Sequence, residues 1–512
     1  MNGADSVVQT MMSSGIDVCF ANPGTSEMAL VAALDRTPGM RCVLGLFEGV
    51  VTGAADGYAR MAEKPGATLL HCGPGLANGL ANLHNAKRAK SSIVNVVGDH
   101  ATYHKAFNAP LTADVEATAR PYSNWVRTAS SALSIGDDTA RAIEAASGHP
   151  GQVATLVVPA DVAWTSGASV RHIAPTPAPK SAPDAAIDRV VSILKSDEPT
   201  ALVLGGGATL EAGLLHAEKV AKASNAHLLG QVFNPRISRG PQLPHLTPIP
   251  YPIDQGLAAL SKYRHIILVG ADLPVAFFAY PGRPSSLVAK DCEVTVLAQE
   301  SENVVAALEA VAEAFAVTPQ ISNKPKPTPA TGPLTPDAIA QSVGALMPEG
   351  AIVADETLTS GRNALALTRN AAPHDWLQLT GGSIGIGIPL ATGAATACPN
   401  RRVVCLQADG SAMYTLQGLW TQAREKLNVT TVIYANNAYA ILRQELKNLG
   451  FDNPGQTACD MIDLGRPNLN WVQLANGMGV DARRVTTTEE FNDVFRASRD
   501  TDGPFLIEAA IV

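Results

Sequence analysis

Short apolar runs alternate with longer amphipathic segments along most of the 512 residues of this chain. The runs RVVCLQA and VTTVIYA are rich in β-branched residues, whereas the segment between them, near Met413 to Lys426, has a helical period. Alternating strand and helix patterns are typical of parallel sheets flanked by helices. The pattern therefore predicts an α/β fold.

Two proline-rich stretches interrupt this alternation, at Ile173 to Pro183 and at Val317 to Pro336. Proline removes a backbone donor and continues neither helices nor central strands, so both stretches are predicted to be linkers. They divide the chain into residues 1–172, 184–316 and 337–512. We predict three domains, each with a parallel β-sheet.

The composition indicates a folded protein, because 46% of the residues are hydrophobic and 16% are charged. A net charge of -8 gives no support for binding to nucleic acid or to an anionic membrane. Seven cysteines without a C-x-x-C pair favour a reducing compartment. Asp5 stands where a secretory signal carries positive charge, and the small-residue stretch Ser383 to Cys398 predicts a buried helix. A soluble, cytoplasmic protein with small-molecule partners is expected.

Polar residues follow the two β-like runs, with Asp409, Gly410 and Ser411 after the first and Asn436 and Asn437 after the second. Parallel strands end at the same edge of a sheet, so Asp409 and Asn436 are expected side by side. Their oxygens suit Mg²⁺, and the adjacent backbone N–H groups suit phosphate. An ordinary pair of polar turns is the alternative from these residues alone.

Two more strand ends in the third domain carry polar or glycine-rich turns, at Glu356 to Ser360 and at Gly381 to Gly382. Together with the turns at Asp409 and Asn436, these ends at one sheet edge favour a bound diphosphate over unrelated turns.

The first domain offers candidates for proton transfer. Glu48 stands between a strand and a helix of small residues, where a carboxylate is largely desolvated, although it could simply satisfy helix N–H groups. His71 follows another strand and suits acid–base work, with a structural histidine as the alternative. His100 and His104 are similar but weaker candidates.

The middle domain has a glycine-rich turn after the strand ALVL, with Gly205, Gly207 and Gly213. The spacing is not G-x-G-x-x-G, and no acidic residue ends a clear second strand. A tight turn without a ligand is the better interpretation, and a flavin or nicotinamide oxidoreductase is only a weak alternative.

Taken together, these motifs resemble those of a known family. One motif consists of Asp409, Gly410 and Ser411, with Asn436 27 residues after Asp409. It is similar to the cofactor motif of the thiamine-diphosphate-dependent enzymes of the pyruvate oxidase and acetolactate synthase group. FANPGTSE, Glu48 in FEGVVTGAADGYAR, LLHCGPG and GGSIGIGIP extend the likeness over nearly the whole chain, and it is greatest to the benzoylformate decarboxylases.

The resemblance implies a pyrimidine-binding N-terminal domain, a central domain of vestigial dinucleotide-binding type and a C-terminal domain that binds diphosphate and Mg²⁺. It implies Mg²⁺ ligation by Asp409, Asn436 and the carbonyl of Ala438. The other implied cofactor contacts are Glu48, Thr359, Gly382, Ile384, Gly410, Ser411 and Tyr439.

For catalysis, the resemblance assigns Glu48 to the aminopyrimidine N1′, where it promotes formation of the C2 ylid. His71 and Thr25 match residues that handle the substrate carboxylate and protons, and His104 is a further candidate from its loop. The ylid would attack a 2-oxo acid, and the enamine left after CO₂ departs would give an aldehyde or a hydroxyketone. A homodimer or homotetramer is implied, with Glu48 and the metal site from different subunits.

This chain departs from the benzoylformate decarboxylases at two places. Phe277 to Pro281 lack the expected second histidine, and Ile441 and Glu445 stand where an aromatic wall is expected. A smaller or more polar 2-oxo acid, or an acyloin, is therefore at least as suitable a substrate as an arylglyoxylate. We predict a nonoxidative 2-oxo acid decarboxylase, with an acetolactate-synthase-like carboligase as the alternative.

Overall fold

A computed structural model of the protein describes residues 1–315 and 324–511. The N-terminal domain has the strands β1 (Val18–Asn22), β2 (Arg41–Leu44), β3 (Gly66–Leu70), β4 (Ile93–Asp99), β5 (Trp125–Thr128) and β6 (Val153–Pro159). Its helices are α1 (Gly3–Ser13), α2 (Met28–Asp35), α3 (Glu48–Ala62), α4 (Cys72–Ala89), α5 (Val115–Ala119), α6 (Ile135–Ala146) and α7 (Ala160–Trp164). The strands form a parallel sheet in the order β2-β1-β3-β4-β6-β5.

The central domain contains a smaller sheet. Its elements are α8 (Asp184–Leu194), β7 (Thr200–Leu204), α9 (Glu211–Ser224), β8 (His227–Gly230), β9 (Arg236–Arg239), β10 (Thr247–Pro248), α10 (Ile253–Leu260), β11 (His265–Val269), β12 (Glu293–Ala298) and α11 (Val304–Glu313). Five of these strands pair in parallel in the order β10-β8-β7-β11-β12.

The C-terminal domain is built around the largest sheet. Its strands are β13 (Ala351–Glu356), β14 (His374–Gln378), β15 (Val403–Ala408), β16 (Val429–Ala435), β17 (Asp481–Val485) and β18 (Phe505–Ala510). Its helices are α12 (Pro336–Leu346), α13 (Ala364–Leu367), α14 (Gly387–Ala397), α15 (Asp409–Ala412), α16 (Gly418–Arg424), α17 (Ala440–Asn448), α18 (Gln456–Asp460), α19 (Trp471–Gly477) and α20 (Thr488–Arg499). The sheet order is β17-β18-β16-β15-β13-β14-β9.

The predicted α/β architecture with three parallel sheets is confirmed, with one addition. Strand β9 of the central domain joins the edge of the C-terminal sheet and runs antiparallel to β14. Arg236 in β9 donates from Nε to Oδ1 of Asp375 in β14 over 2.8 Å. The central and C-terminal domains therefore share a sheet, which sequence patterns within either domain do not indicate.

The small-residue stretch from Ser383 to Cys398 forms the buried helix α14, as expected. A Cβ added to Gly393 would overlap the carbonyl oxygen of Ala54 in α3, and one added to Gly57 would overlap that of Leu390. Backbone of the N-terminal domain thus packs directly on backbone of the C-terminal domain, which only glycine permits.

Two other expectations bear on the site. The helix expected near Met413 to Lys426 is shorter in the structure, where α16 begins at Gly418, and a separate short helix, α15, begins at Asp409 itself. Of the linker expected at Val317 to Pro336, residues 317–323 lie outside the described residues, and so does residue 316 of the expected central domain.

No helix within residues 1–315 and 324–511 has the length and apolarity needed to cross a membrane.

Candidate active site

Asp409 and Asn436 lie at the carboxyl ends of the paired strands β15 and β16. Asp409 is 1% exposed, and its Oδ2 accepts a hydrogen bond of 2.6 Å from the backbone N–H of Asn437. The backbone N–H of Gly410 donates to Oδ1 over 2.8 Å. Oδ1 of Asn436 accepts from the N–H of Ala438 over 2.9 Å. The fold thus brings the predicted metal ligands together.

A cavity of about 220 Å³ opens at this edge of the sheet. Its lining residues all lie between Leu358 and Leu442, within the C-terminal domain. Among the predicted site residues, it is lined by Thr359, Ile384, Asp409, Gly410, Ser411, Asn436, Ala438 and Tyr439. These eight residues come from four separate strand ends and their following turns, which the topology gathers at one place.

The electrostatics of Asp409 suit a cation. Burial raises the pKa of this carboxyl, and hydrogen bonds from the backbone N–H groups of Asn437 and Gly410 oppose that rise. An ionised carboxylate held in this way retains lone pairs for a hard cation, whose charge would offset the cost of burial. The donor set of carboxylate, amide and backbone carbonyl oxygens fits Mg²⁺.

A buried hydrogen-bond chain supports the side of the cavity that Ser411 lines. Glu356 accepts from the backbone N–H groups of Gly385 and Gly387 over 2.7 and 2.8 Å and from Nε2 of Gln407 over 2.9 Å. The same Nε2 donates to Oγ of Ser411 over 2.5 Å. The sequence placed Glu356 only within a polar turn and gave Gln407 no role, because Gln407 belongs to a strand that looks like an ordinary core strand.

Three further residues shape the walls. Leu358, beside Thr359, has φ of 52°, a left-handed conformation that is uncommon for a branched residue and often marks a functional turn. The ring of Tyr439 lies where a side chain on Gly410 would project. Ile384 is half-buried and packs against the hydrophobic core below the cavity, so its exposed part faces inward.

Gly382 is placed differently from the other predicted cofactor residues of the C-terminal domain, which line the cavity. It has φ of 76° and is not among the lining residues of the cavity. A Cβ at this position would overlap the ring of Phe277 from the central domain. The structure therefore links Gly382 to the region where a second histidine was expected and an aromatic cluster is found.

The predicted proton-transfer residues form a separate cluster in the N-terminal domain. His71 follows β3, and its Nδ1 lies 2.7 Å from Oε2 of Glu27, which is fully buried. Glu27 also accepts from Oγ of Ser26 over 2.6 Å and from the N–H of Gly24 over 2.8 Å. Thr25 is exposed and begins the 3₁₀ turn that carries Ser26 and Glu27.

Glu48 belongs to the same cluster. It is 7% exposed and begins α3, and its Oε2 accepts a hydrogen bond of 3.0 Å from Nδ2 of Asn78. A Cβ on Gly75 would lie 3.1 Å from Oε1 of Glu48 and 3.3 Å from Cβ of His71. Glu48 and His71 are therefore neighbours across Gly75. Asn78 and Glu27 were missed from the sequence, although the G-x-x-E spacing of a capping box was visible.

His104 lies apart from these contacts. It is exposed in the loop after β4, where its ring centroid lies 5.6 Å from that of His100 and 5.9 Å from that of Phe107. The Glu48–His71 cluster and the Asp409 cavity are likewise separate within one chain, since neither Glu48, His71 nor Thr25 lines the cavity.

The glycine-rich turn of the central domain is accounted for by packing. A Cβ on Gly205 would overlap the carbonyl oxygen of Gly270, which follows the neighbouring strand β11. The turn is tight because two backbones meet there.

Comparison with known proteins identifies the class. Residues 1–118 match the N-terminal thiamine-pyrophosphate-binding domain of thiamine pyrophosphate enzymes. Residues 359–509 match the C-terminal thiamine-pyrophosphate-binding domain of the same enzymes. The chain belongs to this family of enzymes, which has both decarboxylase and carboligase members, and its cofactor is thiamine diphosphate. Mg²⁺ is the usual partner metal in this family.

Individual relatives cover the whole chain. A putative acetolactate synthase large subunit, IlvX, of Mycobacterium tuberculosis is 51% identical over all of this chain and 99% of its own. A benzoylformate decarboxylase of Pseudomonas aeruginosa is 27% identical over 96% of both chains. The solved structure of a 4-hydroxybenzoylformate decarboxylase from Rhodococcus jostii RHA1 matches with a TM-score of 0.86 at 23% identity, over 100% of this chain and 99% of that one, and so supports the fold.

Proposed function

We propose that the protein is a thiamine-diphosphate- and Mg²⁺-dependent nonoxidative decarboxylase of a 2-oxo acid. The observation that carries the proposal is the contact of the partly exposed His71 with the fully buried Glu27, beside Glu48. A carboxylate only accepts hydrogen bonds, so His71 presents Nδ1–H to Glu27 and leaves Nε2 free for proton exchange with a substrate. A histidine held in this way suits the protonation that ends a decarboxylation. Similarity to benzoylformate decarboxylases supports the same reaction.

The C-terminal cavity would hold the cofactor. Mg²⁺ would be bound by Asp409, Asn436 and the carbonyl of Ala438. The diphosphate would be bound by Ser411 and Thr359, with the N–H of Gly410 beside them. The rings of the cofactor would be supported by Ile384 and Tyr439. When bound, thiamine diphosphate supplies the nucleophilic carbon and the electron sink for cleavage of a carbon–carbon bond beside a carbonyl.

The residues of the N-terminal domain would act on protons. Glu48 is buried and held by Asn78, so its carboxylate can share a proton with a cofactor nitrogen in a water-poor site. Thr25 lies on the exposed side of the turn that holds Glu27, where it can contact the substrate carboxylate. His104 stays a weaker candidate, since its loop is exposed.

A complete site would need two subunits. The cavity is lined by the C-terminal domain alone, whereas Glu48 and His71 lie outside it. A homodimer or a homotetramer, in which Glu48 of one subunit faces the metal site of another, would unite the two groups. The seven cysteines are all free, which supports a reducing, cytoplasmic location.

The test is a panel of 2-oxo acids incubated with the enzyme, thiamine diphosphate and Mg²⁺, with detection of CO₂ and identification of the organic product. Release of CO₂ with an equimolar aldehyde supports the proposal. Failure of every 2-oxo acid to release CO₂ contradicts it, provided that thermal shift shows the enzyme folded and loaded with cofactor.

A second candidate is an acetolactate-synthase-like carboligase, favoured by the relative that is 51% identical. With pyruvate as substrate, this enzyme would yield the hydroxyketone acid from two molecules, whereas a decarboxylase would yield acetaldehyde. Product analysis by NMR separates the two directly.

A further inference from the structure

A second cavity, of about 20 Å³, lies where strand β9 of the central domain meets the C-terminal domain. Its walls include Arg239 in β9, His245 in the segment after β9, and Leu365 and Arg369 in and just after α13. None of the described residues that line it is acidic. Since one water-sized sphere needs roughly 10–15 Å³, the cavity has room for a single small ion and not for a nucleotide or a sugar.

Arg239 is a buried cation without a carboxylate partner. It is 8% exposed and forms no ion pair within residues 1–315 and 324–511. Nη1 donates to Oγ1 of Thr368 over 2.6 Å, and Nη2 donates to the carbonyl oxygen of Leu365. Cζ lies over the ring of Trp376, 5.0 Å from its centroid. Both acceptors are uncharged, and a guanidinium has three more N–H donors to offer.

The carboxylate of Asp355 acts on Arg239 only from beyond ion-pair distance. Its Oδ1 accepts from the N–H and the hydroxyl of Thr357 over 3.0 and 2.6 Å, and its Oδ2 accepts from Nε1 of Trp376 over 3.1 Å. Burial lowers the pKa of Arg239 to about 9, and the charge of Asp355 opposes that fall. The guanidinium is therefore charged at neutral pH, and the cost of burying it is offset only in part.

The positive charge around this cavity acts on two histidines. Burial, followed by the charges of Arg239, Arg369 and Lys324, lowers the pKa of His245 to about 4. Burial and the charge of Arg239 likewise lower the pKa of His374 to about 4. His245 is thus neutral at pH 7, when one of its ring nitrogens still carries a hydrogen-bond donor. The cavity combines a positive potential with N–H donors.

We propose that this cavity binds one small monovalent anion, of the size of chloride, between Arg239, His245 and Arg369. The charge of the anion offsets the burial of the guanidinium, and the small volume excludes polyatomic anions such as sulfate. The anion would join the central and C-terminal domains beside the pairing of β9 with β14. Its binding is independent of the proposed reaction, because none of the three residues lines the cavity beside Asp409.

The first test measures the melting temperature of the full chain as sodium chloride replaces sodium gluconate. Constant ionic strength keeps general screening fixed, and gluconate is too large for the cavity. A ligand that binds only the folded state should raise the melting temperature by about 2 °C at ten times its Kd. The rise should saturate with chloride concentration. A melting temperature that does not depend on chloride overturns the proposal.

Variants of Arg369 test the site without disturbing the buried guanidinium. The side chain of Arg369 is exposed and forms no hydrogen bond or ion pair with the described residues, so its replacement should preserve the fold. Arg369→Gln should raise the chloride concentration of half-maximal effect by about threefold or more, because it removes a partly screened attraction. Arg369→Glu should abolish the chloride effect, because a carboxylate on the cavity wall repels the anion.

The matched control is Arg483→Gln on the exposed surface of β17, at the opposite edge of the same sheet. Its chloride dependence should equal that of the unaltered protein. If Arg369→Gln and Arg369→Glu also retained the full dependence, chloride would act elsewhere and the proposal would be wrong.

Bromide locates the anion without any variant. A crystal of the full chain soaked in sodium bromide should give an anomalous peak in contact with the guanidinium of Arg239. Such a peak, together with the chloride dependence in solution, supports the proposal. A cavity that contains only water overturns it, and so does bromide bound at crystal concentration without any effect of chloride on the melting temperature.

Discussion

Nδ1 of His71 lies 2.7 Å from Oε2 of Glu27, a carboxylate with no exposed surface. The other side-chain hydrogen bonds of Glu27 come from Ser26 and from the backbone of Gly24, whose missing side chain leaves room for the His71 ring. The imidazole is therefore held in orientation by a buried carboxylate, while its own side chain stays 23% exposed. This arrangement is that of a positioned proton donor or acceptor.

Replacing Glu27 by Gln should lower kcat by roughly 10- to 100-fold with a smaller change in KM, because an amide holds the reactive tautomer of His71 less firmly. The ¹⁵N shifts of His71 should show a mixture of tautomers in the variant. A merely structural role for Glu27 would leave those shifts unchanged in the folded variant. Glu144→Gln, on the protein surface, serves as the matched control.

Replacing Glu48 by Gln should leave cofactor affinity largely intact but slow exchange of the C2 proton of thiamine diphosphate by about 100-fold or more, since acid–base groups contribute about that much. NMR-detected exchange in deuterated water measures the effect. Unchanged exchange in a cofactor-loaded variant would rule out the assigned role. Asn78→Ala, which removes the hydrogen bond to Glu48, should give an intermediate rate.

Replacing Asp409 by Ala should abolish the rise in melting temperature that thiamine diphosphate produces with Mg²⁺. The variant loses the buried carboxylate that suits the metal, together with its hydrogen bonds to Asn437 and Gly410. Asp409→Asn keeps the shape but not the charge and should bind Mg²⁺ more weakly rather than not at all. A full thermal shift in Asp409→Ala would place the metal elsewhere.

Replacing Gly393 by Ala should destabilise the protein by about 2 kcal/mol or more, because overpacking of a rigid interior commonly costs 1–3 kcal/mol. The added Cβ would overlap the backbone carbonyl of Ala54, and neither backbone can move without separating α14 from α3. Denaturant unfolding measures the change. Gly477→Ala in α19, where a Cβ meets no atom within 4 Å and φ is not left-handed, controls for loss of glycine.

Acid should destabilise the fold through His374. Burial, with the nearby charge of Arg239, lowers the pKa of this histidine to about 4 in the folded protein, against an ordinary value of 6.5. The contribution of the neutral His374 to the free energy of unfolding is therefore complete above pH 6.5 and is lost as the pH falls toward 4. The loss amounts to about 2 kcal/mol by pH 5. His374→Asn should show a smaller loss of unfolding free energy between pH 7.5 and pH 5, whereas the exposed His172→Asn should match the unaltered protein.

Much of the site followed from residue order alone. Asp409 and Asn436 end two consecutive parallel strands, and strand direction places both ends at one edge of the sheet. The stretch of glycine and alanine before Cys398 likewise predicted a closely packed helix, because small side chains in a buried helix allow a neighbouring backbone to approach closely.

Other contacts could not be anticipated, because they join residues that no local pattern relates. Glu27 and His71 are 44 residues apart, and Tyr280 and Glu445 are 165 apart in different domains. The short helix α15 begins at Asp409 itself and ends before the segment in which one continuous helix was expected. Strand β9 pairs with β14 only because the central domain is docked on the C-terminal one.

The sequence by itself determined the fold class, which depends on periods of two or 3.6 residues, and the resemblance of its motifs to those of a known family indicated the cofactor. The tertiary structure decided which polar groups share a cavity and which carboxylates are buried. Those properties depend on distances between distant segments, and packing of the whole chain fixes such distances.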